Sequence, residues 1–162
     1  MAEFINPALV PKVTLPSGEE VPCVGMGTFG SDRVSAEDVS AAVAGAVRSG
    51  YRMFDCAACY GNEPQIGKVF KDAFDEGVVE RKDLFIMTKV WNDMHRDVEK
   101  ACRKSIQDLQ CDYVDCTLST GRSQIIMHRD VMWIPEIRIP DLSVWMSLWI
   151  LTVSVRSLWK KG

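Results

Sequence analysis

The sequence lacks the features that mark membrane-spanning, secreted and general nucleic-acid-binding proteins. No run of about 18 apolar residues occurs, so no membrane-spanning helix is predicted. The first residues carry neither a basic start nor a long apolar stretch, and we therefore expect no secretory signal. The 19 Lys and Arg are outnumbered by 22 Asp and Glu, for a net charge of −3. This balance argues against a nucleic-acid partner, whose phosphates require a basic surface.

Cysteine is too scarce for a scaffold held together by disulfides. Six cysteines occur in 162 residues, and without a signal we expect them to be reduced thiols. The content of 47% hydrophobic and 25% charged residues is typical of a globular protein, and the length fits a single domain. We expect a soluble, cytoplasmic protein.

Charge and tryptophan are distributed unevenly, which predicts two parts, residues 1–118 and 119–162. The first part holds 13 basic and 19 acidic residues, and the second holds 6 basic and 3 acidic residues with four of the five tryptophans. In the second part, residues 142–155 form an apolar stretch too short to span a bilayer. It fits a strand or a helix, with an interfacial membrane segment or a dimer contact as alternatives. We hypothesise that a splicing or reading-frame change produced residues 119–162.

The first part alternates strand and helix patterns. Ser35 is a predicted helix N-cap, Gly50 a stop for that helix, and Pro64 fits the first turn of the next. Strands are predicted over residues 21–29, 51–54, 84–88 and 113–118, and helices over residues 39–47, 66–74 and 98–109. The strands start about every 30 residues, the length of a βαβ unit. We therefore predict an α/β fold with a parallel sheet.

Two of the predicted strands end on opposite charges. Asp55 ends one, Lys89 ends the next, and Tyr60 follows Asp55 in the same loop. Parallel sheets place their chemistry at the carboxyl ends of the strands, where these side chains would meet. An ammonium beside a phenol favours the phenolate and makes proton transfer practicable, while a carboxylate holds the ammonium in place. An ordinary ion pair with a neighbouring tyrosine is the alternative interpretation.

Two short patterns suggest competing functions. Residues 25–30 satisfy G-x-G-x-x-G, the signature of a Rossmann dinucleotide-binding domain, but the next predicted helix begins near Ser35 instead of inside the glycines. Cys56 and Cys59 form a C-x-x-C directly after a strand, whereas a redox pair needs a helix N-terminus. There is no second such pair to complete a zinc site, and we predict no metal.

Several separated segments resemble the aldo-keto reductases, in the order and spacing of that family. They are residues 15–18, 25–29, 50–57, 60–63, 66–67, 85–91 and 112–115. The similarity covers about residues 10–118 and is closest to the aldehyde and aldose reductase branch. It implies a parallel (β/α)₈ barrel of the TIM type, with only about the first four β/α units present. It also implies that NADPH reduces an aldehyde or ketone, such as a sugar or small aldehyde, to an alcohol.

The resemblance also assigns roles to individual residues. Tyr60 matches the proton donor, Lys89 the residue that tunes it, and Asp55 the partner of Lys89 near the nicotinamide ribose. The segment that lines the cofactor cleft matches Gly27, Thr28 and Phe29, and the apolar walls of the substrate pocket match Phe29 and Trp91. Core packing is the alternative for the two aromatic residues.

The sequence departs from the family in two places. Counting from Asp115, Thr120 stands where the family has a histidine, while His128 lies further on and His95 caps or flanks the third helix. The later barrel strands have no counterpart after residue 118. A catalytically inactive, truncated or alternatively spliced family member is therefore the alternative function. A half-barrel would expose strand edges, through which the chain could self-associate.

Overall fold

The structure, a computed structural model, describes residues 5–30 and 33–119. A short 3₁₀ turn, Pro7–Leu9, precedes a small antiparallel hairpin. Its strands are β1 (Lys12–Thr14) and β2 (Glu20–Pro22). The strand predicted over residues 21–29 is wrong as a single element, because only Met26–Gly27 (β3) joins the main sheet. The break has a physical cause. β2 bonds to β1, and at Gly25 the backbone passes so close to Met53 that a Cβ would overlap its side chain.

The main sheet has four parallel strands in chain order. After β3 come β4 (Met53–Asp55), β5 (Phe85–Val90) and β6 (Cys116–Ser119). Each strand pairs in parallel with the next, which confirms the predicted α/β fold. Among the described residues, β3 and β6 each pair with one neighbour only. Self-association through these edges stays a prediction.

Three helices connect the four strands, as the pattern predicted. They are α1 (Ala36–Ser49), α2 (Glu63–Asp75) and α3 (Val98–Asp108). The Ser35 hydroxyl accepts a bond from the Asp38 amide at 3.1 Å, and Gly50 ends α1 with a φ of 102°, a left-handed conformation that favours glycine. Pro64 lies in the first turn of α2, where its missing N–H costs nothing.

The hydrophobic core lies between the helices and one face of the sheet. Phe54 packs edge-on against Phe70 with ring centroids 5.2 Å apart, which joins β4 to α2. The other fully buried apolar residues of this core include Val43, Val47, Ile66, Ile86, Leu109 and Val114. A smaller cluster of Phe85, Cys116 and Leu118 covers the opposite face. The two faces of the sheet are thus both partly covered, as in other parallel sheets.

The predictions for residues 120–162, including the apolar stretch over 142–155, lie outside the described residues. Within the described ranges, no helix is long and apolar enough to cross a membrane.

Replacing Gly67 should test how tightly α2 and α3 pack. A Cβ at Gly67 would lie 2.6 Å from the Leu109 carbonyl carbon, and it would overlap the Asp108 carbonyl oxygen. These are backbone atoms and cannot swing away, so Gly67→Ala should lower the free energy of unfolding by about 1–3 kcal/mol. Urea denaturation followed by circular dichroism measures the change.

Gly45→Ala is the matched control, because Gly45 lies in α1 with no atom within 4 Å of its added Cβ. This change should stabilise the chain by about 0.5–1 kcal/mol through helix propensity. Equal effects of the two substitutions would contradict the close packing at Gly67.

Candidate active site

The open end of β4 and β5 brings together Asp55, Tyr60 and Lys89. Asp55 is the last residue of β4 and pairs with Met87 of β5. Lys89 is two residues beyond Met87 and so points to the same side of the sheet. Tyr60 ends a short 3₁₀ turn, Ala58–Tyr60, which directly follows β4. Parallel pairing therefore puts Asp55 and Lys89 on the same face and end of the sheet, and the turn brings Tyr60 to them.

The Lys89 ammonium is the centre of this group. It donates to the Asp55 carboxylate, to the Cys56 carbonyl oxygen at 3.0 Å and to the Tyr60 phenol oxygen at 3.1 Å. Only 12% of the Lys89 side chain is exposed, against 36% of Asp55. Burial alone would lower the pKa of Lys89. The bonds to Asp55 and Tyr60 and the Asp55 charge outweigh it and raise the pKa above its usual value, so the ammonium stays charged.

The segment after β3 is attached to the same site by hydrogen bonds. The Asp55 carbonyl oxygen accepts from the amide of Thr28 at 3.1 Å and from its hydroxyl at 3.0 Å. Gly27 pairs with Asp55 in the sheet, and a Cβ at Gly27 would meet only open space. Gly27 therefore lies beside Asp55 with open space at its Cβ position, while the Thr28 side chain is buried.

Asn62 also belongs to this arrangement, and the sequence analysis missed it. Its side chain is buried and donates to the Thr28 carbonyl oxygen at 2.8 Å, which ties the Tyr60 loop to the segment after β3. Before a helix with Pro64 in its first turn, an asparagine is expected to act as a cap. The Asn62 side chain makes no cap bond, so the local pattern carries no signal for its actual partner.

The two aromatic residues assigned to the substrate pocket are exposed. Phe29 is 67% exposed and its ring lies 5.0 Å from that of Tyr60, while Trp91, just after β5, is 45% exposed. The alternative of core packing is therefore wrong for both. A cleft of 140 Å³ is lined by Phe29, Tyr60, Cys59 and Asn62, among others, but not by Trp91.

A larger open cleft of 1040 Å³ lies at the opposite end of the sheet. It is lined by the hairpin and by residues at the starts of β4 and β5, including Arg52 and Leu84. None of the predicted site residues lines it.

Glu63, the first residue of α2, is a buried carboxyl group that sequence reasoning also missed. It is 1% exposed, and its Oε1 accepts a bond of 2.6 Å from the Thr88 hydroxyl. Its Oε2 is buried with no hydrogen-bond partner among the described residues. Burial raises the pKa of Glu63, against the hydroxyls of Thr88 and Ser105, which act to lower it. An acidic residue in the first turn of a helix normally indicates only a favourable interaction with the helix dipole, so the local sequence carries no sign of the buried bond to Thr88.

The structure weighs against both competing patterns. Cys56 is buried, which raises the pKa of its thiol to about 12, and burial also raises the pKa of Cys59, so neither is a reactive thiolate. In the glycine pattern, α1 begins only at Ala36, well after Gly30, so the helix does not open inside the glycines as a Rossmann site requires. Among the described residues no cluster of His, Cys, Asp or Glu is placed to hold a metal ion.

The remaining histidine prediction concerns the end of β6. His95 flanks α3, whose N-cap is Asp97, and its Nε2 lies 3.2 Å from the Ser119 hydroxyl oxygen. Thr120 and His128 lie outside the described residues.

Comparison with known proteins finds a matching family. The sequence model of the Aldo/keto reductase family matches residues 23–120. An aldose reductase of Encephalitozoon cuniculi is 48% identical over 104 residues, which is 64% of this chain and 34% of the relative. An NAD(P)H-dependent D-xylose reductase of Scheffersomyces stipitis is 43% identical over 111 residues, 67% of this chain and 34% of that one.

The fold is similar to a solved structure as well. A Bombyx mori aldo-keto reductase, crystallised in complex with NADP, superposes with a TM-score of 0.63 at 35% identity, over 70% of this chain and 40% of that one. This similarity confirms the predicted barrel-type fold, of which four parallel strands and three helices are described. The matched region spans about a third of the length of these curated relatives.

The raised pKa of Glu63 makes a prediction about stability and pH. Since the folded-state pKa lies above that of the unfolded chain, the folded chain holds more protons between the two values. Its free energy of unfolding should therefore fall as pH rises through that window. Glu63→Gln abolishes this titration, so the stability of the variant relative to the unchanged chain should increase from acidic to neutral pH.

Urea denaturation at about pH 4 and pH 7 measures the difference. Glu37→Gln, at an exposed position in the first turn of α1, is the control. A gap between Glu63→Gln and the unchanged chain that is the same at both pH values would contradict the prediction.

Proposed function

The chain belongs to the aldo/keto reductase family, and we propose that it carries the proton-transfer half of an NADPH-dependent carbonyl reductase. The substrate would be a sugar or small aldehyde, or a ketone, reduced to the alcohol. One observation carries the proposal: a single buried ammonium, that of Lys89, donates to both the Tyr60 phenol and the Asp55 carboxylate. An ordinary surface ion pair would not include the phenol oxygen.

The residues at this end of the sheet fit a nicotinamide cofactor. The open space at Gly27 leaves room for a ring or sugar, and the partly exposed Asp55 carboxylate offers an acceptor for ribose hydroxyls. NADPH, when bound, supplies a hydride to the substrate's carbonyl carbon. The names of two relatives, one requiring NAD(P)H and one crystallised with NADP, support this choice of cofactor.

Tyr60 would donate its phenol proton to the substrate's carbonyl oxygen. As the proton leaves, negative charge develops on the phenol oxygen, and the Lys89 ammonium at 3.1 Å stabilises it. Asp55 keeps Lys89 oriented and charged, because it raises the pKa of that amine. Water then returns a proton to Tyr60 and completes the cycle.

The exposed aromatic rings would form the apolar wall beside the reacting carbonyl. Phe29 packs against Tyr60 and lines the 140 Å³ cleft, while Trp91 extends from the end of β5. An apolar wall excludes water and strengthens hydrogen bonds at the reacting oxygen.

A catalytically inactive family member is the second candidate. It is favoured by the matched length, about a third of each curated relative, and by Thr120 at the position of the family histidine. In that case Asp55, Tyr60 and Lys89 would be inherited residues without a cofactor to serve. A Rossmann dinucleotide-binding domain is not proposed, because the family is a different one.

Titration of the purified chain with NADPH, followed by cofactor fluorescence, separates the two candidates. A cofactor-binding chain should give saturable binding, and Asp55→Asn should weaken it by roughly 1–3 kcal/mol, because a charged acceptor for the ribose is lost. Glu37→Gln is the control, because it removes a carboxylate at an exposed position of α1. This variant should bind NADPH as the unchanged chain does. Absence of binding by a folded chain would support the inactive member.

Tyr60→Phe tests the proton donor. The substitution removes only the phenol oxygen, so NADPH should still bind while aldehyde-dependent NADPH oxidation falls by at least about a hundredfold. Tyr51→Phe, in the partly buried segment before β4, is the matched control and should keep the activity. Activity that persists in Tyr60→Phe would rule out the assigned role.

A further inference from the structure

The Glu63 carboxyl lies behind the sheet, on the side away from the candidate active site. Thr88, its hydrogen-bond donor, precedes Lys89 in β5. Since successive residues of a strand point to opposite faces, Thr88 points toward the helices while Lys89 points toward Tyr60. Thr88 is 1% exposed, and its hydroxyl also lies 3.4 Å from the Ser105 hydroxyl of α3.

Two hydrogen bonds therefore join the same two segments from opposite sides of β5. In front of the strand, Lys89 bonds to Tyr60; behind it, Thr88 bonds to Glu63, only three residues along the chain from Tyr60. The segment from Tyr60 to Glu63 thus has two attachments to β5. The front bond is 3.1 Å long, near the upper limit for a hydrogen bond, so a shift of about 1 Å would break it.

If Glu63 only filled space at this position, an apolar side chain would give a more stable fold. A buried carboxyl group with one oxygen unpartnered destabilises the fold compared with an apolar side chain of similar volume. A local choice of this kind, unfavourable for stability, is typical of residues that support a functional site.

We propose that Glu63 is a positioning residue for the reductase site: its bond to Thr88 holds the Tyr60 loop against β5 so that the Tyr60 phenol stays within reach of the Lys89 ammonium. This inference rests on the proposed function for its purpose, although the geometry it describes does not involve cofactor or substrate. The Asn62 side chain adds a third attachment, because it donates a hydrogen bond to the Thr28 carbonyl oxygen and joins the same loop to the segment after β3.

The test follows the tyrosine ring carbons by NMR in chain labelled with ¹³C-tyrosine. The sequence has three tyrosines, and the Tyr60 resonance is the one missing from Tyr60→Phe. Lys89→Met calibrates the shift caused by losing the ammonium. Glu63→Leu and, independently, Thr88→Val should each move the Tyr60 resonance in the same direction as Lys89→Met, while Tyr51 and Tyr113 stay in place.

Two variants serve as controls. Glu63→Gln keeps an oxygen that accepts from Thr88 and should leave the Tyr60 resonance where it is. Thr117→Val makes the same change as Thr88→Val in the neighbouring strand, at a buried threonine whose hydroxyl lies 3.7 Å from the Cys102 sulfur, and it should also have no effect.

An unmoved Tyr60 resonance in folded Thr88→Val and Glu63→Leu would overturn the proposal, as would equal shifts in Glu63→Gln and Glu63→Leu. If Glu63→Leu does not fold, Thr88→Val decides alone. The measurement uses neither NADPH nor aldehyde, so a failure of the proposed function appears only in the cofactor titration. A chain that fails to bind NADPH but shows the expected shifts would still have Glu63 in its positioning role.

Discussion

A buried ammonium group sets the arrangement of the whole open end of the sheet. Lys89 carries its charge into a position that is only 12% exposed, where an unpaired charge would be very costly. Its three acceptors come from β4, from the backbone just after it and from the following turn. Parallel pairing of β4 with β5 brings Asp55 and the Cys56 carbonyl to Lys89, and the turn Ala58–Tyr60 brings the phenol. The site therefore depends on both the strand register and the position of this turn.

Strand β5 separates two kinds of polar chemistry. In front of the strand Lys89 has a carboxylate and a phenol as partners, and behind it Thr88 has a buried carboxyl group and a hydroxyl. The alternation of side chains along a strand makes this possible within two neighbouring residues. The inner polar group interrupts a core that is otherwise built from aliphatic and aromatic residues. It lies directly behind Lys89 in the strand, since Thr88 is the preceding residue.

The region that matches the family is also the region that holds the candidate site. Asp55, Tyr60 and Lys89 all lie within residues 23–120, and the described fold ends with β6 in that range. Within the described residues, the candidate site is therefore built from β4, β5 and the turn after β4. The matched region spans about a third of each curated relative, so contributions that those proteins draw from their later strands lie beyond it.

The sequence by itself determined the α/β alternation, the caps at Ser35 and Gly50 and the residues at the ends of β4 and β5. These depend on local periodicity, on turn chemistry and on the rule that parallel strands end at one edge. Only the tertiary structure decided that residues 21–29 divide between two sheets, because the backbone of β2 makes its hydrogen bonds with β1 and not with the main sheet. It also decided the partners of Asn62 and Glu63, which lie 34 and 25 residues away along the chain. Such contacts are set by packing between elements, and local sequence patterns carry no record of them.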